Sequence, residues 1–495
     1  MNTNGGLTRR AFLGGAASVA AVATVTPRHL LAQSHIPAPL RFAQIRPTDL
    51  HQRPAPAERR FTSPAVETAI TSVGVRIADP ELRLMFGNCL PNTLDTTVFP
   101  GTFEGRPDTF VITGDIDAMW LRDSSAQVWP YLPFAREDKQ LASLIEGVIR
   151  RQSRCILLDP YANAFMRSTA DKPLSWAVHD ETDMFPGVGE RKWEIDSLCY
   201  TIRLAHGYWK ATGSTAPFDY QWRESAHRIV NTFRQQQRKH NFGPYHFQRS
   251  SPVPTDTVPL SGYGNPARPV GLIYSMFRPS DDSCIYPLFI PANHFAVVSL
   301  RQLAEITNAV LHDAGLANEA TALAREVETA LAQYGHARNS TGDVLWAYEV
   351  DGYGNTLMMD DANAPGLLSL PYLGCCAIGD PVYQRIRAWV LSLSNPYFFR
   401  GTAGEGVGGP HQGLNYIWPM SILFRAFTST DDQEIRTCLR TLRDTTAGTH
   451  FLHESFQKDN AADFTRAWFA WANTLFGELI LHLNKTRPAI LSSTL

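Results

Sequence analysis

The span from Thr113 to Tyr131 concentrates polar chemistry. Thr113-Gly114-Asp115-Ile116-Asp117-Ala118-Met119-Trp120-Leu121-Arg122-Asp123 opens as a polar turn, and Ser124 to Tyr131 continues as an apolar, helix-compatible run. It holds three carboxylates, one guanidinium and two indoles. That set suits a pyranose: Arg122 and Asp123, side by side, can satisfy the acceptor and the donor of one diol, and Trp120 can cover an apolar C–H face. The plainer reading makes Asp123 or Ser124 a helix cap and the tryptophans core.

Cleaving a bond to such a sugar takes two carboxyls on opposite sides of it, one of them protonated. Met276-Phe277-Arg278-Pro279-Ser280-Asp281-Asp282-Ser283-Cys284 offers two adjacent aspartates in a Pro-bearing turn. Neighbours in an extended segment point to opposite faces, so one can enter a cleft while the other braces the loop. Burial against Phe277, or a second carboxylate, would raise an Asp towards carrying a proton at neutral pH. Alternatively, Ser280 or Asp281 caps the helix that begins after Pro291. The second candidate is Glu454, set between His453 and Phe456 ahead of a helix bearing Arg466, Trp468 and Trp471. A base must stay ionised, and Lys458 or Arg466 is placed to hold it so; a solvated loop glutamate is the bland alternative.

These loops need a scaffold, and apolar residues recurring at three and four supply helices. The pattern predicts them over Val66 to Ile77, Ser124 to Phe134, Asp138 to Arg154, Glu194 to Ala211, Tyr220 to Arg238, Ala292 to Asp313, Ala317 to Tyr334, Asp380 to Leu393, Gly413 to Phe427, Asp431 to Leu442 and Phe464 to Leu483. Val344 to Val350 and Gly243 to Gln248 read as short strands or turns. About a dozen helices joined by long polar connections imply an all-α chain, an (α/α)6 toroid or barrel whose long loops form the active site. Residues 63–495 form one such domain. Residues 34–62, with Pro37, Pro39, Pro47, Pro54 and Pro56, read as an extended lead-in. Residues 1–33 read as an export segment: Thr8-Arg9-Arg10-Ala11-Phe12-Leu13 is a twin-arginine pattern ahead of a small apolar run, Gly14 to Val25. The expected location is periplasmic or secreted.

A formal charge of -2 gives no reason to expect a nucleic acid or anionic membrane as partner, so the expected ligand is neutral, with no membrane partner beyond export. The 7 cysteines, an odd number without CxxC spacing, read as buried thiols. The acidic pairs Asp115-x-Asp117, Asp281-Asp282 and Asp360-Asp361 lack the ligand spacing of a calcium loop, and no metal or other cofactor is expected. Gly404-Glu405-Gly406-Val407-Gly408-Gly409 contains a formal GxGxxG, but Pro410 and His411 follow it and no β-α-β unit surrounds it.

The Thr113 to Tyr131 stretch closely resembles the signature segment of the family 125 glycoside hydrolases. The resemblance continues through Lys192-Trp193-Glu194-Ile195-Asp196-Ser197-Leu198-Cys199-Tyr200, Gly262-Tyr263-Gly264-Asn265-Pro266 to Cys284, Met358-Met359-Asp360-Asp361-Ala362-Asn363-Ala364-Pro365, and Glu454 to Asn473. It implies an (α/α)6 toroid and an inverting, metal-independent exo-α-1,6-mannosidase acting on a mannose-containing oligosaccharide or glycan. It places an Asp acid at Asp281 or Asp282, with Asp281 favoured but not separable by sequence, and a Glu base at Glu454. The surrounding pocket would draw on Arg122, Asp123, Trp120, Asp196, Arg278, Asp361, Asn363, His411 and Arg466, walled by Trp193, Trp418 and Trp468. Two other classes fit parts of the pattern. A lyase on the same toroid would want basic residues around a uronate, and a non-catalytic glycan-binding protein would need neither Asp281 nor Glu454.

Overall fold

Leu141, Leu144, Ile145, Val148 and Ile149 fall on one face of the helix Lys139–Leu158, and all are buried there. The structure, a computed structural model, describes residues 52–339 and 341–495, so the expected export segment over 1–33 lies outside the described residues. Long helices dominate and pack in a closed circuit. Leu121–Val128 lies against Ile195–Thr212, which lies against Ile290–Ala309; Pro419–Phe427 lies against Ala470–Thr486, and Ala470–Thr486 returns to Leu121–Val128 and Pro80–Cys89. The last long helix thus closes on the first. Gly477 permits that closure, since a Cβ there would sit 2.7 Å from Leu90 Cα. Outside this circuit, Lys139–Leu158 packs on Ile195–Thr212 and Tyr220–Gln236, Ala314–Tyr334 on Ile290–Ala309, and Asp432–Asp444 on Pro419–Phe427. The run 360–375 is built of successive turns yet is largely buried, with Leu367 and Leu370 fully so. Its backbone is satisfied locally and by the ring: Asp360 accepts from Leu367 N and Leu368 N, and Tyr200 donates to the Ala364 carbonyl.

Three small antiparallel sheets lead the chain into the ring helices. Met119–Trp120 pairs with Ala164–Phe165, which pairs with Val188–Glu190. Glu349–Val350 pairs with both Leu288–Phe289 and Thr356–Leu357. Phe456–Gln457 joins Tyr416–Ile417 to Asn460–Phe464. In each, at least one strand stops at the N-terminus of a ring helix, so the sheets fix where the helix starts.

Several boundaries differ from the sequence pattern for local reasons. The helix expected from Gly413 begins at Pro419, because Gly413 and Asn415 take positive φ and Tyr416–Ile417 joins a sheet. The one expected from Phe464 begins at Ala470, after the strand Asn460–Phe464. Gly243 to Gln248 makes no strand beyond a single Glu181–Gln248 bridge. Pro80–Cys89 was not expected as a helix, although Asp79 before Pro80 is a start signal: its side chain accepts from Leu82 N.

Asp138 ties the outer layer together. Its Oδ1 accepts from Gln140 N and Leu141 N, capping Lys139–Leu158, while Oδ2 accepts from Ser63 Oγ, which in turn accepts from Val66 N to cap Pro64–Gly74. Asp138→Ala should lower stability by about 1–2 kcal/mol in urea unfolding while leaving the folded protein's activity intact. A change below the error of the measurement would show that neither cap depends on it.

Candidate active site

The loops that precede the ring helices bring the sequence-predicted residues together. Asp281 lies on the loop 277–284, pinched by a Phe277–Ser283 bridge, with φ of 64°. A non-glycine residue in that region is strained, and such strain gathers at functional sites. The Asp281 carbonyl accepts from Lys192 Nζ at 2.7 Å, and its Oδ1 accepts from Arg122 Nη2 at 3.2 Å and Asn163 Nδ2 at 3.3 Å. Its side chain is 23% exposed, against 4% for Asp282. Asp282 turns the other way, accepting from Ser280 Oγ at 3.1 Å and lying 3.8 Å from His411 Nδ1. The two aspartates therefore diverge, one towards the cleft and one into the loop.

Arg278 anchors that loop from beneath. Its Nε donates to Glu349 Oε1 at 2.6 Å, and Glu349 Oε2 accepts from Ile285 N and Tyr286 N, both at 2.9 Å. Arg278 was expected at the sugar; at 2% exposure it is instead a brace. Arg122 is likewise not an open clamp. Its guanidinium is surrounded by Glu194, Asp281, Asp196 at 3.4 Å and Asp123 at 3.6 Å, and its side chain is 4% exposed. Carboxyls take Nη1 and Nη2, and burial closes the rest of the guanidinium to a diol. Asp196 is fully buried behind it. Burial, opposed by Arg122, pushes Asp123 and Asp196 each up to about 6.

Glu454 occupies the facing loop. Its Oε2 accepts from Gln412 Nε2 at 2.7 Å and Thr465 Oγ1 at 2.9 Å, and its Oε1 lies 3.5 Å from Arg466 Nη1. Arg466 also pairs with Asp115, tying the Thr113 segment to this loop. Lys458, expected to support Glu454, bonds Asp459 instead. Burial raises the Glu454 carboxyl above its usual range, opposed by the charge of His411 and the hydrogen bond from Thr465. The same loop 409–413 carries both His411 and Gln412 and is held by a Gly409–Gly413 bridge.

The remaining expected residues sort by exposure. Asp361 accepts from Ser280 Oγ at 3.1 Å and from Asn363 N at 3.0 Å, so Asp361 and Asn363 support the acidic loop from below. Trp193 is core: its Nε1 donates to the Tyr274 carbonyl. Trp418 is buried edge-on between His411 and Phe469. Trp468 forms a wall against the Thr113 turn, where a Cβ on Gly114 would sit 3.2 Å from its ring and φ is 126°. Trp120 is buried on its strand. Buried polar atoms without a hydrogen-bond partner include Trp120 Nε1, Arg122 Nε, Glu194 Oε1, Asp196 Oδ1 and Trp418 Nε1, an unusual concentration that marks a site built for function rather than for packing. Asn163, Lys192, Glu194, Gln412 and Thr465 were not singled out from sequence. Three of them, Lys192, Glu194 and Thr465, lie within quoted motif segments, but only their distant partners give them a role.

The acidic pairs considered as cation ligands are otherwise engaged: Asp115 with Arg466, Asp117 with Arg167, Asp360 with backbone amides. Among the described residues no group of three His, Cys, Asp or Glu has ligand geometry.

Two carboxyl-bearing loops facing one another over a ring of helix N-termini define a carbohydrate-active enzyme of the helical-toroid class. The chain belongs to glycoside hydrolase family 125, the metal-independent alpha-mannosidases, whose family model matches residues 79–481. A solved metal-independent alpha-mannosidase from Streptococcus pneumoniae, in a non-productive complex with alpha-1,6-mannobiose, superposes with a TM-score of 0.82 at 39% identity, covering 86% of this chain and 100% of that one. The fold is accordingly an (α/α)6 toroid. The meiotically up-regulated gene 157 protein of Schizosaccharomyces pombe is 41% identical over 458 residues, 89% of each chain.

Burial works against a charged His411, but Asp282, then Glu454 and Asp281, raise it from 6.5 to about 9. A group raised on folding stabilises fully below its unfolded value and loses that contribution as pH rises through the folded one. Stability should therefore fall between about pH 6.5 and 9 through this group. His411→Asn should flatten that part of the curve of thermal midpoint against pH. Parallel curves for the two proteins would exclude the ion pair as a source of stability.

Proposed function

We propose that the protein is an exo-acting enzyme that hydrolyses non-reducing terminal α-1,6-linked mannose from glycans with inversion, using Asp281 as general acid and Glu454 as general base. The observation that carries this reading is the opposition of these two carboxyls in a family 125 chain. Asp281 is strained and turned to the cleft, and Glu454 is gripped by Gln412 and Thr465. The α-1,6 linkage is supported by the disaccharide bound to the Streptococcus pneumoniae relative.

Asp281 delivers its proton to the glycosidic oxygen as that bond breaks. Water, losing a proton to Glu454, attacks the anomeric carbon from the other face. Gln412 and Thr465 both donate to Glu454 Oε2, so the water is assigned to Oε1, which Arg466 Nη1 flanks at 3.5 Å. Asp282 is the weaker candidate for the acid, because Ser280 and His411 hold it in the loop. Release into an extracytoplasmic space through the twin-arginine segment, Thr8 to Leu13, belongs to the same proposal and is supported by that motif alone.

Proton NMR of the protein acting on α-1,6-mannobiose, with and without EDTA, tests the mechanism. Mannose should appear first as the β anomer, at a rate chelation does not change. Early α-mannose would overturn inversion. Asp281→Asn and Glu454→Gln should each reduce kcat by about 10²–10⁴-fold with little change in KM. Retained activity in either variant would remove that residue from its role.

A further inference from the structure

Glu194 has no part in the two-carboxyl scheme, yet it lies against the acid. Arg122 donates through Nη1 to Glu194 Oε2 and through Nη2 to Asp281 Oδ1, so the two carboxyls occupy adjoining nitrogens of one planar fork. Glu194 is the N-cap residue of Ile195–Thr212, but its side chain caps nothing. It turns inward instead, where Oε2 also accepts from Ser197 Oγ at 3.0 Å. Its side chain is 0% exposed, and Oε1 is buried with no donor in reach. Glu194 Oε2 and Asp281 Oδ1 are thus brought side by side on one guanidinium. Two carboxyls held together on one cation favour a single proton between them.

Charge balance points the same way. Around Arg122 stand Asp123, Glu194, Asp196 and Asp281; from the far side of Asp281, Lys192 reaches its carbonyl, and His411 lies beyond, beside Asp282 and Glu454. One buried guanidinium cannot balance four carboxylates, three of them buried, so the cluster retains a proton. Burial, reinforced by the charges of Asp281 and Asp196, holds Glu194 well above the usual carboxylate range despite Arg122. Burial acts on Asp281 too, but Arg122 and the bond from Glu194 outweigh it and hold Asp281 below that range.

We propose that Glu194 is a positioning residue for the general acid, sharing a single proton with Asp281, so that acid catalysis ends at high pH when the pair, not Asp281 alone, loses that proton. The proposal rests on Asp281 as the acid. In the free enzyme the proton lies on Glu194, within the shared hydrogen bond. When a glycosidic oxygen arrives, the proton passes to Asp281 and Glu194 stays ionised on Arg122. Asp281 then gives it to the departing oxygen, while Glu454 takes one from the attacking water. As products leave, Glu454 releases its proton to solvent and the pair takes one up, so each turnover consumes one water and no net proton.

Glu194→Gln keeps the shape and the hydrogen-bonding capacity but cannot ionise. Without the neighbouring negative charge, Asp281 should lose its proton earlier. The alkaline limb of kcat/KM for α-1,6-mannobiose should move down by about one pH unit or more. Hydrolysis of 2,4-dinitrophenyl α-mannoside, whose leaving group needs no proton, should change by less than about threefold. Glu194→Asp should restore part of the limb. Equal losses on both substrates with an unmoved limb would reduce Glu194 to a structural partner of Arg122 and overturn the proposal. Should Asp281→Asn spare mannobiose hydrolysis, the acid assignment itself fails, a separate outcome. If Glu194→Gln does not fold, infrared difference spectra of the wild type decide. A carboxylic-acid band should titrate with the alkaline limb and vanish in Asp281→Asn, and its absence from the wild type would overturn the shared proton.

Discussion

Arg122 faces more negative charge than it can neutralise. Its Nη1 and Nη2 serve Glu194 and Asp281, Asp196 lies 3.4 Å away, and Asp123 leans against Nε at 3.6 Å. Breaking such a buried constellation by removing one partner costs about 3–5 kcal/mol, because the remaining charges are left uncompensated. Replacing it wholesale with apolar residues is often neutral, so a core does not need it for stability. Its effect is on protonation and position. It sets where Asp281 sits, holds that side chain partly open to the cleft, and keeps the surrounding carboxyls at unequal affinities for a proton.

The toroid makes this assembly feasible. Arg122 and Asp123 stand in the first turn of Leu121–Val128, Asp196 in the first turn of Ile195–Thr212, Asp281 ahead of Ile290–Ala309, His411 ahead of Pro419–Phe427, and Glu454 ahead of Ala470–Thr486. Every one of these lies at or before a helix N-terminus. Partial positive charge favours the carboxylates of Asp123 and Asp196 in their first turns, and the short strands fix the entry angle of the loops. Glu349 shows how the rigidity is passed on: one buried carboxylate in a sheet holds Arg278, Ile285 and Tyr286, and so holds both shoulders of the acidic loop.

Much of this was legible in the chain. Helical periodicity located most of the ring, failing at Gly413 and Phe464, where positive φ or a short strand interrupts a pattern that remains apolar. Asp281 and Glu454 stood out as carboxyls in loops rich in aromatic and polar neighbours. The partners that tune them did not stand out. Asn163, Gln412 and Thr465 are ordinary loop residues in isolation, and Glu194 looked like the start of a helix. Arg122 meets Glu194 across 72 residues and Asp281 across 159, separations that no local pattern encodes. The same distance explains why Arg122 and Arg278 were read as sugar ligands. Sequence displays a cation near a predicted cleft but not the carboxylates already bound to it.

The two catalytic loops solve opposite electrostatic problems with similar means. A general acid must keep a proton that a nearby cation tends to expel, and a general base must shed one that burial tends to retain. On the acid side the cation is Arg122, and the opposing influence is a second carboxyl, Glu194, on the same guanidinium. On the base side the burden is desolvation of Glu454, and relief comes from Arg466 at 3.5 Å and from His411, charged because Asp282 stands beside it. Adjacent aspartates thus divide the labour: Asp281 faces the cleft, while Asp282 acts on the other carboxyl through an imidazolium. The left-handed backbone at Asp281 stands at the point of that division, where two consecutive carboxylates go to different partners.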